Sequence, residues 1–243
     1  MVPSDLSEGA ALELPTPWMV LRELALPLDV ARLWFGWPRL LWAPRGNGQP
    51  VLLLPGYGGT DASTLAIRTF LRLLGYEPEG WGLGTNTGDV KRILPTVVAR
   101  TAAAYQRTGQ RVRLVGWSLG GVIAREVARE RPDLVERVIT FGSPIVGGPK
   151  YTFVGWRYAE RGHDLDAIEA AIDERNRTPI TVPITAIYSR GDGIVMWHAC
   201  IDRLSPQVEH VEVRATHIGL GIHPHVYRVV ADRLARTRRP DQA

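Results

Sequence analysis

Short apolar runs alternate with longer amphipathic stretches from residue 50 onward. Pro50–Leu54, Arg111–Val115, Arg137–Phe141 and Ile184–Tyr188 are compact and β-rich in character, bounded by turn residues or charge, and read as strands covered on both faces. Between them lie segments with helical spacing. Leu65–Leu74 stops at Gly75, Val90–Thr108 at Gly109, and Val122–Arg131 at Pro132, residues that end helices by conformation or by a missing N–H. Tyr76–Leu83 reads as a further strand, Val208–Arg214 as a half-polar edge strand, and Pro224–Arg236 as the last helix. Strands separated by helices predict an α/β fold: a roughly six-stranded, mainly parallel sheet with helices on both faces.

Two regions depart from this alternation. Residues 1–49, up to the turn-rich Pro44-Arg45-Gly46-Asn47-Gly48-Gln49, read as an N-terminal helical arm, and 50–243 as one α/β domain. Met1–Pro15 is polar, acidic and expected to be mobile. Trp18–Trp42 holds four tryptophans and is divided by Pro17, Pro27 and Pro38 into short helical pieces. One reading packs the arm on the domain. The sharper one gives residues 17–42 a weak peripheral association with a membrane surface, where tryptophan and arginine both sit well. The second departure, 144–182, reads as a small lid insertion. It is aromatic (Tyr151, Phe153, Trp156, Tyr158) and carries a helix around Asp166–Glu174, with capping-box spacing at Asp166 and Glu169 and a shared apolar face of Leu165, Ile168 and Ile172.

The stretch richest in chemistry is Gly116-Trp117-Ser118-Leu119-Gly120-Gly121, between a predicted strand and a predicted helix. A serine on so tight a strand–helix turn is lifted clear of its neighbours, and glycines at Gly116 and Gly120 remove the collisions that side chains would cause. The bland reading is a glycine-rich turn with an idle serine. The segment resembles the nucleophile elbow of the α/β-hydrolase superfamily, with lipase- and esterase-like serine hydrolases as the members it is most similar to. On that fold the resemblance implies a chain order of serine, acid, then histidine. Asp192, in Ser189-Arg190-Gly191-Asp192-Gly193-Ile194-Val195 after a strand, is the implied acid, with Asp202 as fallback. His217, in the loop after the last strand, is the implied base ahead of His223 and His225. His163, His198 and His210 read as structural or exposed, with His198 near enough to Asp192 in sequence to border a pocket. The oxyanion hole is expected from the N–H groups of Leu119 and Tyr57, the latter in Leu54-Pro55-Gly56-Tyr57-Gly58-Gly59. Gly142-Ser143-Pro144 is similar to a turn of lipase-like members. Gly56, Trp117, Asn86 and Trp156 are expected to contact substrate.

Composition narrows the partners. A net charge of +4 is spread along the chain apart from Arg233, Arg236, Arg238 and Arg239, and no basic element is interleaved with aromatics, so no nucleic acid is expected. The single Cys200 excludes an internal disulfide, and no histidine pair has ligand spacing, so neither metal nor cofactor is expected. Neither a basic leader nor an uninterrupted apolar span is visible, which points to a cytoplasmic location. The implied activity is hydrolysis of a small-molecule or lipid-like carboxylic ester with an apolar acyl group; acyl transfer, thioester or amide cleavage would use the same triad and differ in acceptor or leaving group, and a non-catalytic binding module is the rival from another class. The sequence leaves the oligomeric state open.

Overall fold

The computed structural model describes residues 13–237; the polar segment up to residue 12 and the arginines at 238 and 239 lie outside them. A 3-10 helix, Pro17–Ala25, leads into α1 (Leu26–Leu40). Then follow β1 (Pro50–Leu54), α2 (Leu65–Leu73), β2 (Glu77–Gly80), α3 (Val90–Thr108), β3 (Val112–Trp117), α4 (Leu119–Glu130) and β4 (Val135–Phe141). The second half contains α5 (Gly155–Glu160), α6 (Leu165–Asn176), β5 (Ile184–Tyr188), β6 (Val208–Glu212), α7 (His217–Leu220) and α8 (Pro224–Leu234). The six strands form one sheet in the order β2-β1-β3-β4-β5-β6, and every neighbouring pair is parallel.

The strand period of two divides the core between the two faces. Val51 and Leu53 of β1 meet Phe70 of α2 and Tyr227 of α8 on one side, where Leu40 at the end of α1 also packs. Leu52 and Leu54 meet Val97 of α3 and Ile123 and Val127 of α4 on the other. With both faces covered, β1 is apolar at every position rather than alternating, and each such buried side chain contributes about 1.5–3 kcal/mol. β3 lies inside the sheet between β1 and β4, so whatever follows its C-terminal end is carried on the stiffest part of the fold.

Several predicted boundaries move. α4 starts at Leu119, directly after the serine, because Gly120 and Gly121 are helical here rather than part of the turn. α3 runs through Pro95 and ends at Gly109 in the left-handed conformation. The arm divides into two helical pieces beside Pro27, which occupies the first turn of α1, where no N–H is needed, but Pro38 does not cut it and lies in the last turn of α1. Asp164, rather than Asp166, caps α6, accepting from the N–H groups of Asp166 and Ala167. Asp166 and Glu169 instead receive Lys150 at 2.6 and 2.5 Å.

Candidate active site

Strand β3 ends at Trp117 and α4 begins at Leu119, so a single residue makes the turn. Ser118 has φ 53° and ψ −123°, the one non-glycine residue with positive φ among the described residues. Such a backbone costs on the order of 1–3 kcal/mol and persists only where its surroundings enforce it. They do so by close approach. A Cβ on Gly120 would stand 2.1 Å from the Leu54 carbonyl oxygen, and one on Gly116 would stand 2.4 Å from Gly121 Cα. The turn is tied down by the Ser118 N–H donating to the Phe141 carbonyl at 2.9 Å.

The acid and the base meet at the same end of the sheet. Asp192 follows β5, and its Oδ2 lies 2.7 Å from His217 Nδ1. Its Oδ1 accepts from the N–H groups of Ile194 and Val195 at 2.8 and 2.7 Å, which fixes the carboxylate plane. His217 is the first residue of α7, a short helix rather than an open loop, and Thr216 caps it through the Gly219 N–H. Both Asp192 and His217 are buried. In the tautomer whose Nδ1–H donates to Asp192, Nε2 is left as an acceptor. Burial is the strongest influence on the imidazole and pulls its pKa down, but Asp192, by charge and hydrogen bond, and Glu23, by charge, outweigh it, so the net shift from 6.5 is upward. Gly142 makes room for the ring: a Cβ there would lie 3.0 Å from His217 Nδ1. Ser118 Oγ has no hydrogen-bond partner among the described residues.

A cavity of about 790 Å³ opens beside the serine. Ser118, Leu119 and Tyr57 line it, and Val122, Ile145, Ile168 and Ile172 give it apolar walls, the last two from α6. The Leu119 N–H is the first of α4 and has no intrahelical acceptor. Gly58 and Gly59 donate to the carbonyls of Asn86 and Gly56, while the Tyr57 N–H has no acceptor among the described residues.

The remaining residues singled out in the sequence take other places. Gly56 lies under the serine, where a Cβ would be 3.1 Å from Ser118 Cβ. Asn86 is fully buried and braces the 55–59 loop by donating from Nδ2 to the Pro55 carbonyl at 2.9 Å. Trp117 stacks on Phe141, with ring centroids 6.2 Å apart, and its ring centroid is 6.0 Å from that of His217; it backs the base rather than lining the cavity. Trp156 is half exposed and off the cavity wall; Tyr158 lines the cavity in its place, 5.6 Å from the Tyr57 ring. His163 is on the cavity rim, and His198 stacks on Trp197 at 3.8 Å instead of bordering the pocket. Asp202 is an ion-pair partner of Arg125 at 2.8 Å; burial pushes its pKa up, but Arg125 and the Leu204 and Ser205 N–H groups prevail and hold it at about 2. His223 caps α8 through the His225 N–H, and His225 lies beside it.

The residues that hold the two loops were not among those singled out from sequence. Glu23, in the 3-10 helix of the arm, accepts through Oε1 from the N–H groups of His217 at 2.8 Å and Gly193 at 2.9 Å, and through Oε2 from Ile218 at 3.0 Å. Arg22 donates to the carbonyls of Arg190 and Asp192. Asp29 is buried in α1 and accepts from both the N–H and the hydroxyl of Thr216 at 2.9 and 3.0 Å. The only sequence signal was two lone carboxylates in an apolar arm.

No protein-family model matches the chain. The pimeloyl-[acyl-carrier protein] methyl ester esterase of Aeromonas hydrophila subsp. hydrophila is 31% identical over 104 residues, covering 40% of this chain and 39% of that enzyme. The enzyme of the same name from Aliivibrio salmonicida is 29% identical over 125 residues, covering 49% and 44%. The match thus spans less than half the length of either relative. Among solved structures, one described as "LipS and LipT, two metagenome-derived lipolytic enzymes" superposes with a TM-score of 0.61 at 14% identity, over 79% of this chain and 94% of that one. Mouse alpha/beta hydrolase domain-containing protein 10 gives 0.54 at 20% identity, over 78% and 90%. Naproxen esterase from Bacillus subtilis gives 0.57 at 13%, over 86% and 98%. What these likenesses share over most of the chain is the backbone, and the fold they show for this chain is the α/β-hydrolase fold.

Proposed function

We propose that the protein is a serine hydrolase of carboxylic esters with an apolar acyl group. The observation that carries this reading is the Asp192–His217 pair, 2.7 Å apart, at the sheet end where Ser118 is held in a strained turn beside an apolar cavity. Ser118 Oγ attacks the acyl carbonyl carbon as its proton passes to His217 Nε2, and Asp192 stabilises the imidazolium that results. The N–H groups of Tyr57 and Leu119 stabilise the oxyanion. Collapse breaks the ester C–O bond, and the imidazolium returns its proton to the departing alkoxide. Water, deprotonated by the same nitrogen, then releases the acid from the acyl-serine.

Two supports are independent of the triad. The curated relatives carry esterase names. The cavity walls from Val122, Ile145, Ile168 and Ile172 suit a hydrocarbon chain rather than a sugar or a peptide. A p-nitrophenyl ester series from acetate to laurate, assayed with the full chain and with Ser118→Ala, tests the reading. The expected result is turnover that rises with chain length through the medium acyl range and vanishes in Ser118→Ala. A maximum at acetate would remove the apolar acyl preference, and activity surviving in Ser118→Ala would remove the serine.

A further inference from the structure

We propose that the outer face of the N-terminal arm docks on the surface of an anionic phospholipid bilayer. The geometry of the arm is the first support. In the 3-10 helix, Trp18, Leu21 and Leu24 recur every three residues, which is the period of that helix, so they form one stripe, and all three are exposed. From α1 onward Leu28, Phe35 and Trp42 recur every seven residues, two helical turns apart, with Trp34 and Leu41 beside them. Trp34, Phe35 and Trp42 are 81%, 80% and 85% exposed. The opposite face of the arm is the packed one, with Met19, Leu33, Trp37 and Leu40 turned to the domain. The arm is therefore apolar on two sides, and only one of them has a partner within the chain. Surfaces that stay in water seldom carry so continuous an apolar stripe.

Charge selects what covers the stripe. The carboxylates between Trp18 and Trp42 are Glu23 and Asp29, and both are spent inward, on the 193 and 217–218 N–H groups and on Thr216. Arg22, Arg32 and Arg39 are all exposed; Arg22 donates to the Arg190 and Asp192 carbonyls, Arg32 pairs with Asp29 at 2.8 Å, and Arg39 has no carboxylate partner among the described residues. Next to the stripe, α1 and the start of α8 enclose a groove of about 770 Å³ lined by Leu28, Arg32, Phe35, Arg39, Arg214 and His225. Its one acid, Glu212, is paired with Arg190 at 3.3 Å. A second copy of the chain on this face would set arginine against arginine across a two-fold axis. A bilayer of anionic phospholipid supplies the opposite charge: phosphodiesters meet the arginines, and the tryptophans and phenylalanine enter the headgroup–acyl boundary. The docked element is also the one that holds the Asp192 and His217 loops, through Glu23, Arg22 and Asp29.

The test is co-sedimentation of the full chain with vesicles of phosphatidylcholine alone, and of phosphatidylcholine with roughly one-third phosphatidylglycerol, at low and high salt. Tryptophan quenching by spin-labelled lipid is read in the same samples. The expected result is binding to the phosphatidylglycerol vesicles that weakens with salt, with tryptophan quenched. The triple variant Trp34→Ser/Phe35→Ser/Trp42→Ser should lose roughly tenfold or more in affinity while keeping its unfolding midpoint, since these side chains are exposed. Arg39→Glu should lose the preference for phosphatidylglycerol. Absence of binding to phosphatidylglycerol vesicles, or equal binding by the triple variant, would overturn the proposal. So would a dimer of the parent chain that the triple variant abolishes, with no vesicle binding, which would assign the face to a second copy.

Discussion

The imidazole of His217 is pulled in two directions, and the balance sets the pH at which the site can work. Burial favours the neutral ring, while the charges of Asp192 and Glu23 favour the imidazolium and prevail. A raised folded-state pKa means that this histidine stabilises the fold most fully below its unfolded pKa, and that the contribution is lost as pH rises through the folded value. Catalysis runs the other way, because Nε2 must be unprotonated to accept the serine proton. The acid limb of the kcat/KM profile is therefore expected above 6.5, the ordinary histidine value. In Asp192→Asn the limb should move down and kcat should fall by ~10³–10⁴-fold, the scale for losing the orienting acid of a triad. A pH–rate series on both proteins measures this; a limb unmoved by Asp192→Asn would detach the acid from the base. Gly120 offers a stability check at the same scale. A methyl group there would meet the Leu54 carbonyl at 2.1 Å, backbone against backbone, so Gly120→Ala should fail to accumulate as folded protein.

At the scale of elements, the arm contributes what the two catalytic-loop segments lack. The N–H groups of Gly193, His217 and Ile218 converge on one carboxylate, that of Glu23. Glu23→Ala leaves those three donors without their acceptor, at about 1–3 kcal/mol for each one that water cannot reach. Glu23→Gln is the sharper variant, because it keeps an acceptor oxygen and removes the charge. It should lower the acid limb of the pH profile, since Glu23 is one of the charges that raise the His217 pKa, whereas a purely structural bracket would leave that limb in place. This element also marks the limit of what the sequence disclosed. Asp192 and His217 could be singled out because each follows a strand readable from the pattern, apolar before Asp192 and half-polar before His217, in the chain order that the resemblance implies. Glu23 lies 194 positions from the residue it braces, and nothing local to either end signals the contact. Trp156 and Tyr158 show the same limit at short range. Two residues apart on α5, they point about 200° apart around the helix, and composition alone could not choose which one faces the cavity.

Across the whole molecule, the sheet was the legible part. Six strands with helices between most of them, four of the strands apolar, admit few arrangements once crossovers are right-handed and both faces are covered, and the observed order β2-β1-β3-β4-β5-β6 is one of them. The region before β1 contains helix rather than strand among the described residues, in keeping with its proline-punctuated pattern. No helix of the described residues is long and apolar enough to cross a membrane. What the pattern could not convey was assembly at a distance: under the proposed function the Glu23 arm, the Asp192 loop, the start of α7 and helix α6 all converge on Ser118. The most direct measurement of that convergence is labelling of the folded full chain with a fluorophosphonate, followed by peptide mapping. The expected result is a single adduct on Ser118, formed in the parent chain and slowed by orders of magnitude in His217→Ala and Asp192→Asn. A folded protein that leaves Ser118 unlabelled, or labels it equally fast without His217, would contradict it.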